Sequence, residues 1–160
     1  MRRALAVTLV VLSLAACGDS STPSTDASHE THKEGAPSAD ALPRTPSPAG
    51  AKVWLIEPKD GAVVKNPITI KFGVEGMKVA PAGTDEPDSG HHHLLIDTKL
   101  ADFDAPIPAD DQHKHYGKGQ TEATIELSPG KHTLQDVFAD KNHIPFEPPV
   151  QSAPITVTVE

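Results

Sequence analysis

Between residues 51 and 160 no stretch keeps a 3.6-residue apolar period for ten residues, so the sequence offers no amphipathic helix from which to build a core. It offers instead short runs rich in Val, Ile and Thr, separated by Gly, Pro, Asn and Asp, which is the pattern of strands and turns. Strands are expected at 52–57, 68–74, 92–97, 122–127, 132–139 and 153–159. Pro58-Lys59-Asp60-Gly61 and Ser128-Pro129-Gly130-Lys131 supply turn chemistry, because proline presets φ and glycine accepts a positive φ. Six or seven strands in about 110 residues fit an all-β sandwich.

The end of the chain narrows the class. Leu127-Ser128-Pro129-Gly130-Lys131-His132-Thr133-Leu134 reads as strand, tight turn and strand, and Ile155-Thr156-Val157-Thr158-Val159 alternates as a closing strand. This resembles the last hairpin and final strand of immunoglobulin-like or fibronectin-like domains, a resemblance that implies a fold and no activity. Two connections, 76–90 and 98–120, are longer than a minimal sandwich needs, and long loops on a rigid scaffold are where function concentrates.

The other end is of a different kind. Arg2 and Arg3 precede an apolar run over 4–14, too short for the roughly 20 residues that span a bilayer, so the segment reads as a secretion signal. Leu14-Ala15-Ala16-Cys17 resembles a bacterial lipobox; the resemblance implies a signal peptide over 1–16, removed before a lipidated Cys17. Gly18 stands where many inner-membrane lipoproteins carry Asp, which by the same resemblance favours an outer-membrane anchor facing the periplasm, with a Gram-positive surface as the alternative. Residues 17–50 are rich in Ser, Thr, Pro, Ala and Asp and have almost no large apolar side chain, so they read as a disordered spacer, with His29 and His32 in it, before one domain over 51–160.

Cys17 is the sole cysteine, so lipidation leaves no disulfide, no thiolate nucleophile and no Cys ligand for a metal. Loss of Arg2 and Arg3 leaves 12 basic against 22 acidic side chains, a formal charge of −10. Such a surface argues against nucleic acid or an anionic lipid face as partner and suits cations. Contact with the membrane is therefore expected through the lipid alone, and an envelope protein or polymer remains an open partner.

Seven of the nine histidines lie between positions 91 and 143. Three of them open a strand in Gly90-His91-His92-His93-Leu94-Leu95-Ile96-Asp97, and side chains two apart on a strand share a face roughly 6.5–7 Å apart. His91, His93 and Asp97 thus face outward or toward a loop, while His92, with Leu94 and Ile96, faces the core as a hydrogen-bonded histidine. Leu95 departs from this alternation. His113-Lys114-His115 is a second His-x-His pair, at the far end of a loop that must return to the sandwich. The expected site is His91, His93, His113 and His115, with His132, His143 and Asp97 as accessory candidates. Imidazole and carboxylate donors suit Cu²⁺, Zn²⁺ or Ni²⁺. Cu⁺ is disfavoured, since Met77 is the one thioether beyond the signal, and the acidic residues of the loop have no EF-hand spacing.

The stretches Gly90-His91-His92-His93-Leu94-Leu95-Ile96-Asp97, His115-Tyr116-Gly117-Lys118-Gly119-Gln120-Thr121-Glu122, Pro129-Gly130-Lys131-His132-Thr133-Leu134-Gln135 and Asn142-His143-Ile144-Pro145 together resemble a bacterial family of small secreted or lipid-anchored domains of unknown function. The resemblance covers about residues 53–160 and implies a common fold and a common histidine site. Members of that family often carry a further histidine directly after the last motif, where this chain has Phe146. No HExxH, GxSxG or cysteine nucleophile is present, so a non-enzymatic role is expected. The leading expectation is an envelope lipoprotein that binds a divalent transition metal for buffering, delivery or sensing. Its alternatives are a protein- or polymer-binding module with structural histidines and, behind both, a metal-dependent hydrolase.

Overall fold

A computed structural model describes residues 42–160. The expected signal over 1–16, the lipidation of Cys17, and His29 and His32 lie outside the described residues. Among the described residues nine strands follow one another: β1 (Lys52–Glu57), β2 (Val63–Val64), β3 (Ile68–Glu75), β4 (Lys78–Val79), β5 (Ser89–Ile96), β6 (His113–His115), β7 (Glu122–Ile125), β8 (Gly130–Ala139) and β9 (Ile155–Val159). One sheet has the order β1-β3-β7, the other β2-β9-β8-β5-β4, with β6 also paired to β5. The orders β1-β3-β7 and β9-β8-β5 correspond to strands A-B-E and G-F-C of the immunoglobulin sandwich, so the all-β immunoglobulin-like expectation describes the fold. The two-residue strands β2 and β4, too short to show alternation, run parallel to β9 and β5.

Alternation builds the core. Leu55, Ile70, Phe72, Leu94, Ile96, Leu134, Val157 and Val159 come from both sheets and bury against one another, excluding water from the interface between them. A second cluster, of Val53, Phe138, Phe146 and Val150, extends it, and Met77 packs at its margin. β5 departs from the half-buried pattern in being buried along its whole length. Leu95, Val137 and Ala139 on the outer face of β5 and β8 are roofed by Ile107 and Leu100 from the loop between β5 and β6. Leu95 therefore conforms to strand parity: it points outward into a second, smaller apolar cluster under that loop.

Described residues on the N-terminal side of position 51 also pair with the domain. Residues 44–47 lie along residues 145–148: Ser47 N donates to Glu147 O (2.9 Å), Glu147 N to Thr45 O (2.9 Å), and Pro46 bridges Glu147. Arg44 donates to the carbonyls of Pro145 and Phe146, pairs with Glu147 and lies 5.7 Å over the Phe103 ring. A Pro- and Ser-rich segment can be held by backbone hydrogen bonds and one arginine, which composition does not register.

Candidate metal centre

β5 sorts its three histidines by parity. His92 points between the sheets, its ring stacked on Phe72 (4.5 Å between centroids) and edge-on to Phe138. Its Nδ1 meets the carboxylate of Asp136 at 2.9 and 3.1 Å, with both side chains fully buried. Burial pushes the Asp136 carboxyl up, and His92 beside it partly offsets that push. Such a pair fixes strand register and is a poor metal ligand, because its free nitrogen, Nε2, faces the core without a partner among the described residues.

His91 and His93 project from the other face and are 0% and 1% exposed. The Nε2 atoms of the two rings are 3.0 Å apart, and His91 Nε2 is 3.1 Å from His143 Nδ1. β6 adds His115, which the antiparallel register sets directly opposite His93. One ligand nitrogen from each of His91, His93, His115 and His143 lies within 4.8 Å of the others. Tetrahedral nitrogens at about 2.0–2.1 Å from one Zn²⁺ would be about 3.3 Å apart, so the two short spacings fit a common ion with little adjustment.

The same register leaves His113 out. It stands opposite Leu95, one pleat repeat or roughly 6.5–7 Å along the strand from His93, and bonds the Asp110 carboxylate through Nδ1 at 2.8 Å. The fourth imidazole comes instead from His143, in the connection between β8 and β9. That loop is built on Asp140, whose Oδ1 accepts from Asn142 N (2.8 Å) and Ile144 N (3.0 Å) and whose Oδ2 accepts from Thr45 Oγ1 (2.7 Å). His143 adopts a positive φ of 65°, a region that His, Asn and Asp enter more readily than most residues. Its carbonyl accepts from Ile107 N of the roofing loop (2.9 Å). Phe146 turns into the core beside Phe138.

The accessory candidates Asp97 and His132 sit elsewhere and bond each other. Asp97 takes φ 54° at the end of β5, which swings its carboxylate off the face of His91 and His93, onto Thr133 N (2.7 Å) and His132 Nδ1 (2.6 Å). That pairing raises His132 and, together with the Thr133 amide, lowers Asp97 against the opposing effect of burial. The structural-histidine alternative thus describes His92, His113 and His132, each on an aspartate.

The four clustered rings have no such partner among the described residues. Burial, then repulsion from His143 and His115, lowers His91 to about 4; burial, then His91, His115 and His143, lowers His93 to about 2. Burial followed by His143 lowers His115 as well. At neutral pH His91 and His93 are therefore neutral, with lone pairs available to a cation without prior loss of a proton. A family model described as Domain of unknown function (DUF4399) matches residues 70–160. The chain belongs to the DUF4399 family. No curated protein and no solved structure matches the chain significantly. All four histidines of the cluster fall within the DUF4399 match, whereas the arm over 44–47 that ties down the His143 loop precedes it.

Proposed function

We propose that this DUF4399 domain binds one divalent transition-metal ion, Cu²⁺, Zn²⁺ or Ni²⁺, through His91, His93, His115 and His143. The observation that carries the reading is the convergence of four imidazole nitrogens within 4.8 Å, two of the rings fully buried, with no carboxylate bonded to any of them among the described residues. Imidazoles packed so closely gain from a shared cation the polar partner that His92, His113 and His132 gain from aspartate. Four nitrogen donors suit these ions, and the thioether that would select Cu⁺ is engaged elsewhere, since Met77 packs against the Val53 and Phe138 cluster.

In this reading the protein is a lipoprotein of the cell envelope, anchored through Cys17, most simply in the outer membrane facing the periplasm, where it buffers, delivers or senses the ion without catalysing a reaction. The signal-like residues 1–16 and the position of the sole cysteine support this placement. The test is electron paramagnetic resonance of the full chain with one equivalent of Cu²⁺. Nitrogen superhyperfine structure that changes in His143→Ala and persists in His113→Ala is expected. A spectrum indifferent to His143 would refute the ligand set.

A further inference from the structure

The four imidazoles are held very unequally. His91 and His93 stand on a strand paired along one side with β8 and along the other with β4 and β6, beneath a roof of loop. His143 hangs from a turn cross-linked by the Asp140 carboxylate and by Ile107. His115, in contrast, is the last residue of the three-residue strand β6, is exposed, and its ring makes no hydrogen bond among the described residues. The ring lies against the bare Cα of Gly117: a Cβ there would collide with its Nε2 and Cε1, and would also crowd Ala82. The segment carrying Ala82 is tied in by Ala82 N to Gly117 O (3.0 Å) and Gly83 N to Lys141 O (3.1 Å), so it brackets the His115 side of the cluster.

We propose that His115 is the exchange ligand of the site and that Gly117 is the residue that positions it. The inference rests on the metal-binding reading and deepens it. The ion enters and leaves past His115. During release the bond from the metal to the His115 nitrogen breaks as a bond to an entering nitrogen or sulfur donor forms, while His91, His93 and His143 keep their hold. One neutral donor replaces another, so no electron moves and no proton is required. A partner that takes or supplies the ion therefore needs an exposed imidazole or thioether that reaches the face between β6 and residues 81–84. Such an arrangement suits delivery better than storage, since a storage site gains from burying every ligand.

The test is kinetic and uses the full chain, with Zn²⁺, Cu²⁺ and Ni²⁺ in turn, by stopped-flow binding and by transfer to a chromogenic chelator. His115→Ala is expected to retain one ion and to speed both binding and chelator-driven release by roughly 10-fold or more, so that Kd changes less than either rate. Gly117→Ala, which keeps the imidazole but drives the ring from its place, is expected to follow it. Gly117 has no positive φ, so the backbone tolerates alanine. His143→Ala is expected to speed release alone, in proportion to its loss of affinity. An unchanged binding rate in His115→Ala, wild-type behaviour of Gly117→Ala, or a faster binding rate in His143→Ala than in His115→Ala would overturn the assignment while leaving the metal site standing. Failure of the wild-type chain to bind any of the three ions would overturn both.

Discussion

His92 and His93 are adjacent in sequence, equally buried, and have opposite chemistry. His92 faces the core and meets Asp136; His93 faces the roofing loop and meets only other imidazoles. The contrast extends over the domain: among the seven described histidines, His92, His113 and His132 each bond an aspartate at 2.6–2.9 Å, and the remaining four bond no carboxylate. An aspartate gives each of these three histidines a polar partner within the protein. Four imidazoles with no such partner among the described residues leave that role to something from outside, and a metal cation is the partner that four converging lone pairs accept.

Breaking the carboxylate side should have the largest effect on folding. Asp136→Ala leaves the buried His92 ring without its hydrogen-bond partner and should cost roughly 1–3 kcal/mol in denaturant unfolding, with metal affinity of the folded protein little altered. A much smaller loss would mean that the pair is not what holds β5 to β8 at that level. On the imidazole side, Asp140→Ala removes the acceptor that shapes the His143 turn, and affinity for the ion should fall about 10- to 100-fold by calorimetry. Retained affinity would show that His143 needs no presetting, or is no ligand.

The pH dependence of the Asp97–His132 pair sharpens the contrast at its weak end. His132 lies above its ordinary value of 6.5 in the folded state, so its contribution is complete below 6.5 and fades as pH rises through the raised value. Asp97 lies below its ordinary 3.8, so its contribution is complete above 3.8 and fades as pH falls through the lowered value. The stability difference between wild type and His132→Ala should therefore be largest between these two ordinary values and shrink on the alkaline side. Because the Asp97 carboxylate is 40% exposed and screened by solvent, the part of the difference that varies with pH should stay below about 1 kcal/mol. A difference that grows with alkaline pH would contradict the pairing.

How far the sequence reaches can be read from the same residues. Period-two alternation separates His92 from His91 and His93, because parity on a strand is a local property. It also gives the sandwich, whose core positions on β3 and β9 alternate as expected, while β5 and the end of β8 are buried on both faces. The choice between His113 and His115 depends on which residue of β6 lies opposite His93, a register set by the path of the loop from 98 to 112 and invisible to any local pattern. Asp97 has the right parity and is lost to a single positive φ. His143 sits in a turn, where no periodicity applies; the usable signal was Asp140-Lys141-Asn142-His143, a run in which Asp and Asn favour a side-chain-capped turn that can aim the next residue inward.

The central claim is that the unpaired imidazoles form one metal site, and titration calorimetry of the full chain with Cu²⁺, Zn²⁺ and Ni²⁺ tests it most directly. The account predicts one ion bound per chain for at least one of the three metals, unchanged affinity in His113→Ala, and no measurable binding when His91 and His93 are both changed to alanine. Equal affinity in the wild type and the double variant, or no binding of any of the three ions by the wild type, would contradict it.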